Sequence, residues 1–463
     1  MKGEHMLNLT LQEIARVVDA RLIGDGSLTV QSAVSDSRHA APGLFFVALP
    51  GARVDGHDYA QEALSRGAVA VMTQRELPEI APQLVVSSCK EALATLGRYQ
   101  LARYPLKIVA ITGSMGKTTT KELMAAVLSS RFAVLKTEGN LNTEVSLPLV
   151  LFGLTKEHQV AVLEMGMTAK GDIRELCGIA PPDIAVITNI HEVHLERLGS
   201  IEAIAETKGE IFHALHPEGL AIVNADDPRV VAKAQEVAVK SYSYGILNQA
   251  DMMASQLHSH GLRGSSFVAT FPDGSTMDAS LPVPGIHMVQ NALPAMLVGF
   301  LMGLSQEEIA RGLAVVEPTS QRLSARELPG SRLMIDDSYN SNPHSVAAAL
   351  ALVGELRGTR PTYLVLGDMR ELGELSDGAH RGVGALVAQL QPTALYTLGS
   401  LAVEIASEAV RLGYPEGQVA SFTTNQQVLD TLLAQVPTGA LLLIKGSRGL
   451  GMEVIARGLE AKW

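Results

Sequence analysis

Four continuous apolar segments, each followed by a polar turn and a helical pattern, set the strongest limit on how this chain can fold. They are LKIVAITG, which begins at Leu106, QVAVLEMG at Gln159, DIAVITNI at Asp183 and GLAIVNADD at Gly219. Strands without polar alternation are buried on both faces, which is typical of a parallel sheet covered by helices. The sequence therefore predicts an α/β fold built on such a sheet.

Two more α/β stretches flank these four segments. Before them, helical patterns surround the apolar runs LFFVALPG and AVAVMT, and after them come SRLMIDDS, PTYLVLGD, ALYTLG and GALLLIKGSRG. Alternating polar and apolar residues over 240–285 predict a small antiparallel insertion. Because a domain typically has about 100–200 residues, a chain of 463 residues predicts three domains, which we place at 1–105, 106–317 and 318–463.

Charge, cysteine content and hydropathy exclude several classes of protein. The net charge of −11 argues against nucleic acid binding through a cationic face. Two cysteines, Cys89 and Cys177, far apart in the chain, predict a reducing compartment without disulfides. The apolar run 292–304 contains Pro294 and is shorter than the ~20 residues that span a bilayer. We therefore expect a monomeric cytoplasmic protein without a membrane span.

The turn after the first apolar segment has the composition of a phosphate-binding loop. The sequence ITGSMGKTTT places Gly113, Gly116, Lys117 and Thr118 between a strand and a helix. Small residues let backbone N–H groups surround a phosphate, a lysine adds positive charge, and a threonine hydroxyl can reach Mg²⁺. The spacing G-x-x-G-K-T is shorter than the usual P-loop pattern, so a plain glycine-rich turn is the alternative.

Polar side chains also end the second and third apolar segments. Glu164 ends one of them, and Asn189, His191 and His194 follow the other. Ligands of open α/β sheets collect at the carboxyl ends of strands, so we expect Glu164 to face the same crevice as the P-loop. Taken alone, a glutamate at this position is also compatible with a helix cap, and each histidine is more typical of a structural loop residue.

The helical segment IEAIAETKGEIFHALH carries a lysine inside its apolar stripe. Lys208 lies four residues after Ile204 and four before Phe212. A lysine on a buried face must find a partner or lose its charge, unless its stem carries the ammonium to the edge of the core. The functional interpretation is a lysine that faces the crevice. Carbamylation by CO₂ would make it an anion and remove its repulsion from Mg²⁺.

The third predicted domain has polar clusters after three of its strands. Solvated loop charges are the simplest interpretation of any one cluster, but three clusters in one domain favour a second half-site that faces the first. Arg322, beside the predicted linker, is well placed to cross between domains. The clusters are Asp336 and Asp337, Asp368 and Glu371, and Lys445 with Ser447 and Arg448.

These motifs resemble those of the Mur ligase family, which joins amino acids to the UDP-N-acetylmuramoyl stem in bacterial cell-wall synthesis. TGSMGKT resembles the family's P-loop, whose spacing is short, and PGIHMVQNALPAM resembles its adenine site. TNIHEVHLERLGSIEAIAETKGEIF resembles the segment with a metal-binding histidine and a carbamylated lysine. SDSRHAAPGLFFVALPG and TEGNLNTEVSLP are similar to the uridine-nucleotide domain and the muramoyl-peptide loop. The resemblance thus covers the chain from end to end.

The resemblance implies a central P-loop ATPase domain with a parallel sheet, flanked by an N-terminal uridine-nucleotide domain and a C-terminal Rossmann-like α/β domain. LGDMRELG, DDSYNSNP and KGSR resemble the branch that adds D-alanyl-D-alanine to UDP-N-acetylmuramoyl-tripeptide. The implied reaction is ATP-dependent amide formation through an acyl phosphate, with Mg²⁺. A Mur-type or folylpolyglutamate-synthetase-like ligase with another amino acid stays open, as does a P-loop regulatory protein that makes no amide.

The resemblance also implies roles for individual residues in nucleotide and metal binding. The ATP phosphates would contact Gly113, Ser114, Met115, Gly116, Lys117, Thr118 and Thr119. One Mg²⁺ would bind Thr118 and Glu164, and a second would bind Glu164, His194 and carbamylated Lys208. His287 and Asn291 would hold adenine, Arg322 the γ-phosphate, and Asp337 the ribose or the domain interface. The implied catalytic residues are Lys117, Glu164, His194, Lys208 and Arg322.

Three further groups would bind the other substrates. The uridine nucleotide would contact Ser35, Ser37 and Arg38, and the muramoyl peptide would contact Asn140, Asn142 and Thr143. The incoming dipeptide would contact Lys445, Ser447 and Arg448. Met288, Pro294 and Gln321 depart from the family's pattern near the adenine site and the hinge, and Thr143 departs from it in the muramoyl-peptide loop.

Overall fold

The computed structural model describes residues 7–51, 54–193, 195–317 and 321–463. The part of the chain before residue 105 contains a five-stranded sheet. The strands of this stretch are β1 (Leu9–Thr10), β2 (Arg21–Ile23), β3 (Thr29–Val30), β4 (Ser32–Val34), β5 (Leu44–Val47), β6 (Ala70–Thr73) and β7 (Gln83–Val85). The helices are α1 (Leu11–Val17), α2 (Ala60–Ser65) and α3 (Cys89–Ala102). The sheet order is β2-β7-β6-β5-β4, in which β4 to β7 are parallel and β2 is antiparallel, while β1 pairs with β3 separately.

The central stretch forms a nine-stranded sheet of order β16-β15-β14-β13-β12-β11-β8-β10-β9. Its strands are β8 (Lys107–Thr112), β9 (Val134–Lys136), β10 (Val160–Glu164), β11 (Ile184–Ile187), β12 (Leu220–Asn224), β13 (Lys240–Gly245), β14 (Met252–Ser259), β15 (Ser265–Thr270) and β16 (Thr276–Leu281). Its helices are α4 (Lys117–Ser129), α5 (Ser146–Leu151), α6 (Asp172–Ile179), α7 (Leu195–Leu198), α8 (Ile201–His213), α9 (Pro228–Gln235), α10 (His287–Leu301) and α11 (Gln306–Ala314).

The four apolar segments form β8, β10, β11 and β12, which pair in parallel as predicted. The antiparallel insertion is confirmed for β14 to β16. It is wrong for β13, which pairs in parallel with β12 and β14. The alternation of β13 arises because Lys240 and Ser241 are exposed at its start while Tyr244 is buried at its end. Alternation of polar and apolar residues thus indicates which side chains are exposed, but it does not indicate whether a strand pairs in parallel or antiparallel.

The last stretch forms a six-stranded sheet of order β17-β18-β22-β19-β20-β21, parallel except for β17. Its strands are β17 (Ser324–Leu328), β18 (Arg332–Asp337), β19 (Thr362–Gly367), β20 (Ala394–Leu398), β21 (Val419–Phe422) and β22 (Leu441–Lys445). Its helices are α12 (Pro343–Leu356), α13 (Ser376–Leu390), α14 (Val403–Arg411), α15 (Asn425–Gln435) and α16 (Glu453–Lys462). Short 3₁₀ helices lie at Ser37–His39, Gly56–Tyr59, Gly261–Arg263, Gly373–Leu375, Glu416–Gln418 and Arg448–Leu450.

The predicted α/β class is confirmed, and each of the three large sheets lies inside one of the predicted domain intervals. The boundaries at 105 and 317 themselves stay predictions. Within the described part of the chain, no helix combines the length and apolar character needed to cross a lipid bilayer.

The strand orders create two crevices. In the central sheet β8 lies between β10 and β11, so the connections that leave β8 and its neighbours diverge at their carboxyl ends. In the C-terminal sheet β22 lies between β18 and β19. Crevices at such positions are where open α/β sheets bind ligands. Residues after these two sets of strands line one shared cavity between the two domains.

Candidate active site

A cavity of about 370 Å³ lies between the central and C-terminal domains. It brings together most of the residues predicted to bind nucleotide and metal, from both sides. Those that line it are Ser114, Met115, Gly116, Lys117, Thr118, Thr119, Asn140, Asn142, Thr143, Glu164, His287, Asn291, Arg322, Asp337 and Lys445. This cavity between the central and C-terminal domains is therefore the candidate active site.

The P-loop is held by the segment that follows β11. The backbone N–H groups of Ser114 and Met115 donate to the carbonyl and side-chain oxygens of Asn189, at 2.9 and 2.8 Å. Lys117 folds back over the loop, and its Nζ donates to the Gly113 carbonyl at 2.7 Å. Helix α4 begins at Lys117, so its free N–H groups and its dipole face the loop. This arrangement suits a phosphate chain.

Gly116 occupies a position that excludes a side chain. Its φ is 76°, and a Cβ here would lie inside van der Waals distance of Asn291 Oδ1. Strain of this kind costs about 1–3 kcal/mol, and each kcal/mol shifts the unfolding midpoint of a domain this size by about 2–4 °C. We expect Gly116→Ala to lower the thermal midpoint by about 2–12 °C and to weaken ATP binding, both measurable by calorimetry.

The matched control for this variant is Gly378→Ala. Gly378 lies in α13, and an added Cβ there meets no atom within 4 Å. Removal of a helix-interior glycine should leave stability unchanged or raise it by about 0.5–1 kcal/mol. Equal midpoints for the two variants would contradict the role assigned to the Gly116 conformation.

Glu164 connects the P-loop to the loop after β9. Its Oε2 accepts a hydrogen bond from Thr118 Oγ1 at 2.8 Å, and its Oε1 accepts one from Asn142 Nδ2 at 2.7 Å. Its backbone N–H donates to Thr137 Oγ1 at 3.0 Å. Carboxylate and hydroxyl oxygens are the ligands that Mg²⁺ prefers. The chemistry of Thr118 and Glu164 therefore fits the predicted magnesium site.

Lys208 is buried on α8, with a relative exposure of 1%. Its stripe neighbours Ile204 and Phe212 are buried as well, so the predicted apolar face is confirmed. Its ammonium makes no hydrogen bond or ion pair with any residue of the described ranges. Burial, with a smaller contribution from Lys117, brings the pKa of Lys208 well below its usual value. His194, the predicted partner of Lys208 at the second Mg²⁺, lies outside the described residues.

Lys117 is the second cation with a perturbed environment. Burial lowers its pKa, the charge of Glu164 opposes this effect, and the charge of Arg322 adds to it. Lys117 thus interacts with two other basic side chains, Arg322 at the start of the C-terminal domain and Lys208 on α8, although Lys208 is not among the residues that line the cavity. A polyanion would relieve their mutual repulsion, so the electrostatics favour a ligand such as a nucleoside triphosphate.

The residues predicted to hold adenine lie at the start of α10. His287 is its first residue and Asn291 lies one turn later, and both face the cavity. Burial and the nearby Lys445 ammonium lower the pKa of His287 to about 4. The imidazole is therefore neutral at neutral pH. A neutral ring can lie against a base without the cost of a buried charge.

The C-terminal side of the cavity contains a buried ion pair. Lys445 Nζ donates to Asp337 Oδ2 at 2.6 Å and to the Asn340 carbonyl at 3.0 Å, while Leu323 N–H donates to Asp337 Oδ1 at 3.2 Å. The charge of Lys445 is thus already paired within its own domain. The pair ties β18 and β22 together at the edge that faces the P-loop.

The described chain matches three profiles of one family. A profile described as Mur ligase middle domain matches residues 111–299, one described as Mur ligase, glutamate ligase domain matches 321–448, and one described as Mur ligase family, catalytic domain matches 30–100. The chain belongs to the Mur ligase family. Each profile covers most of one of the three large sheets, which confirms the predicted three-domain organisation of a Mur ligase.

Individual Mur ligases match over their full length. The chain is 34% identical over 459 residues to the UDP-N-acetylmuramoyl-tripeptide–D-alanyl-D-alanine ligase of Bacillus subtilis, covering 98% of this chain and 99% of that protein. A crystal structure of MurF from Acinetobacter baumannii superposes with a TM-score of 0.87 at 31% identity, covering 98% and 99% of the two chains. MurF ligase from Thermotoga maritima in complex with ADP gives a TM-score of 0.80 at 29% identity, with 93% and 97% covered.

Several predicted residues of this Mur ligase lie away from the cavity. Ser37 and Arg38 belong to the 3₁₀ helix after β4, where Ser37 Oγ donates to Glu62 at 3.3 Å and Arg38 pairs with Asp36 at 2.6 Å. Ser35, just before them, is exposed. The structure therefore does not bring Ser35, Ser37 and Arg38 together with the P-loop.

Ser447 and Arg448 also fall outside the lining of the cavity. Ser447 is buried, and its Oγ accepts a hydrogen bond from the Arg370 N–H at 2.9 Å, so it shapes the loop after β19. Asp368 and Asp336 likewise accept backbone N–H groups, from Leu401 and Ser338. For these carboxylates the structural interpretation is the better one.

Sequence reasoning missed Tyr339. Its ring contacts two guanidinium groups, with Arg322 at 4.2 Å and Arg448 at 4.8 Å from the ring centroid. Arg322 lines the cavity on the linker side, whereas Arg448, in the loop after β22, lies outside the lining. The signal that could have found Tyr339 is an aromatic residue directly after the polar end of β18, in a chain with 4% aromatic residues.

Proposed function

We propose that this Mur ligase adds D-alanyl-D-alanine to UDP-N-acetylmuramoyl-tripeptide and converts ATP to ADP and phosphate. The observation that carries the proposal is the cavity in which the P-loop and Glu164 face Arg322 and the Asp337–Lys445 pair. Full-length similarity to a ligase named for these two substrates supports the choice within the family. The ADP-bound structural relative supports the nucleotide.

The chemistry begins with activation of a carboxylate. A free carboxylate is a poor electrophile, so its oxygen attacks the γ-phosphorus of ATP, ADP leaves, and an acyl phosphate forms. The dipeptide amine then attacks the acyl carbon, and the single bond from that carbon to the bridging phosphate oxygen breaks. Inorganic phosphate leaves with that oxygen and the electron pair, and the nitrogen loses a proton. Lys117 and Arg322 are the cations that we assign to the charge on the transferring phosphoryl group.

Thr118 and Glu164 are the residues that would hold the first Mg²⁺, and Glu164, His194 and Lys208 the second. Bound Mg²⁺ supplies Lewis acidity that neutralises phosphate charge. Glu164 is oriented for this task from two sides, by Thr118 and by Asn142. The loop with Asn140, Asn142 and Thr143 would place the muramoyl peptide next to the phosphate site. The hydrogen bond from Asn142 to Glu164 supports this assignment.

We also propose that Lys208 is carbamylated. Its complete burial supports this assignment, and so does the absence of an acidic partner among the described residues. The ammonium first loses a proton, and the neutral amine then adds to CO₂ and loses a second proton, so that a cation becomes an anion with two ligand oxygens. A buried anion in this place would be compensated by metal and by Lys117.

The other substrates are assigned by position. Adenine would lie at His287 and Asn291, and the uridine nucleotide at Ser35, Ser37 and Arg38. Lys445, through its bond to Asp337, would orient the C-terminal edge toward the incoming dipeptide, with Ser447 and Arg448 in the adjoining loop. This edge would move as one unit with Arg322, because Tyr339 contacts both arginines.

We place the reaction in the cytoplasm. Cys89 and Cys177 are unpaired and buried, and burial raises the pKa of each thiol to about 12. Such thiols are kept protonated and inert, as expected for a chain that uses no disulfides. The monomeric state stays a prediction.

Phosphate release tests the proposed function. With ATP and Mg²⁺ present, we expect release to require both UDP-N-acetylmuramoyl-tripeptide and D-alanyl-D-alanine. L-alanyl-L-alanine, D-alanine and L-glutamate serve as matched amines, and the nucleotide product is identified by mass spectrometry. Turnover with a single amino acid would instead indicate another Mur-type or folylpolyglutamate-synthetase-like ligase. ATP binding with no amide product from any amine would favour the regulatory protein.

A further inference from the structure

Two histidines and a glutamate meet where the central and C-terminal domains touch, outside the residues assigned above. His191 follows β11, and His344 lies in the first turn of α12. Their rings stack with centroids 4.1 Å apart and planes inclined by 23°. Glu192 Oε2 lies 3.7 Å from His344 Nε2. One ligand atom from each of the three residues lies within 4.8 Å of the other two.

The backbones that carry these side chains are well supported. The Ser114 hydroxyl accepts from the His191 N–H at 2.8 Å and donates to the His191 carbonyl at 3.0 Å. Helix α12 starts with a capping box, in which Asn342 Oδ1 accepts from the Ser345 N–H at 2.9 Å, and with Pro343 in the first turn. The two imidazoles are thus presented by ordered elements of different domains.

The donor set selects a class of metal. Two imidazole nitrogens and one carboxylate are a common ligand set for Zn²⁺, with water in the fourth position. The oxygen-rich pair Thr118 and Glu164 suits Mg²⁺ instead. Tetrahedral Zn²⁺ with bonds of about 2.0–2.1 Å needs ligand atoms about 3.3 Å apart. The imidazole lone pairs lie in the ring planes, so the stacked rings must rotate out of the stack before both nitrogens point to one ion.

Exposure gives the cluster access to solvent. The side chains of His344 and Glu192 are 51% and 34% exposed. An ion can therefore enter, and a water ligand has room. None of the three residues, His191, Glu192 and His344, belongs to the phosphate site described above. None of them has a role in the proposed reaction.

We propose that His191, Glu192 and His344 form a binding site for a transition-metal ion of the Zn²⁺ type that bridges the central and C-terminal domains. One imidazole belongs to each domain, so an ion bound to both favours the domain arrangement in which they meet. A ligand stabilises the state that it binds and shifts the population of domain arrangements toward it. This inference does not depend on which amino acid the ligase adds.

Metal binding to the intact protein tests the proposal. In excess Mg²⁺, which occupies oxygen-rich sites, equilibrium dialysis against Zn²⁺ should show one bound equivalent for the wild type. We expect His344→Gln and Glu192→Gln each to weaken this equivalent by at least tenfold, because loss of outer-shell partners alone costs about 10–100-fold. Co²⁺ in place of Zn²⁺ should give visible absorption in the wild type that both variants lose.

His258→Gln is the matched control, since His258 is an exposed histidine on β14 of the central sheet. This variant should bind Zn²⁺ like the wild type. Zn²⁺ should raise the thermal midpoint of the wild type and the control more than that of His344→Gln, whose metal-free midpoint shows that it is folded. The proposal is overturned if the wild type binds no Zn²⁺ in excess Mg²⁺, or if both site variants retain wild-type affinity.

Discussion

Lys117→Met is expected to lower kcat by about 10²–10³-fold, the loss that follows removal of one group that stabilises transition-state charge. Lys117 Nζ lies over the P-loop and is bonded to the Gly113 carbonyl rather than to an acid. Its charge is therefore available to the phosphates. Methionine keeps the length and the apolar stem but removes that charge. Steady-state phosphate release with both substrates measures the effect.

Lys156→Met is the control, because Lys156 is exposed and precedes β10 without contact to the cavity. Its kcat should equal that of the wild type. The thermal midpoint of Lys117→Met should not fall, since the substitution removes a half-buried charge that desolvation disfavours. A variant with normal kcat and only a raised KM for ATP would show that Lys117 binds the ground state and the transition state equally, which would contradict this prediction.

Lys208→Ala is expected to abolish most of the activity, with a loss of at least about 100-fold, because the carbamate would hold metal beside the transferring phosphate. If the missing group is an anion, acetate or formate should enter the space left by the side chain and restore part of kcat. The wild type should lose activity in CO₂-depleted buffer and regain it with bicarbonate. With ¹³C-bicarbonate, the wild type should show a carbamate carbonyl resonance that Lys208→Ala lacks.

Lys233→Ala separates this effect from a general loss of structure. Lys233 is also a buried lysine, but it pairs with Glu206 and Glu236. Its replacement should reduce stability, and small carboxylates should not restore any lost activity. Full activity of the wild type without CO₂, combined with no response of Lys208→Ala to acetate, would exclude the carbamate.

The central sheet could be predicted because its strands are buried on both faces. Continuous apolar runs such as 106–113 and 183–190 leave no other stable place for their side chains. The short strands of the N-terminal domain are harder to predict from the sequence. β1, β3 and β4 have only two or three residues each, too few for a period of two to be visible. Their pairing depends on neighbours that lie far away in the chain.

Some features of the candidate site could likewise be predicted from the sequence, and others could not. Glu164 and the P-loop could be predicted from their positions at strand ends, and the burial of Lys208 could be predicted from its place in an apolar stripe. The contacts between Asn142 and Glu164 and between Lys445 and Asp337 join residues 22 and 108 positions apart. Such pairs are decided by how elements pack, and a single sequence carries no local signal for them. The packing of elements also decides whether a carboxylate at a strand end binds a ligand or accepts a hydrogen bond from a backbone N–H, as Asp368 does.

The dependence of the P-loop on Asn189 has a consequence for biosynthesis. Met115 and Asn189, which hydrogen-bond to each other, are 74 positions apart, and the loop comes first in the chain. At about 5–20 residues per second, the ribosome exposes Gly113 to Thr119 about 4–15 s before the segment that holds them. During that interval a nascent chain lacks the partner that orients the loop amides. Nucleotide can therefore assist folding only after β11 and Asn189 have been synthesised and have docked beside β8.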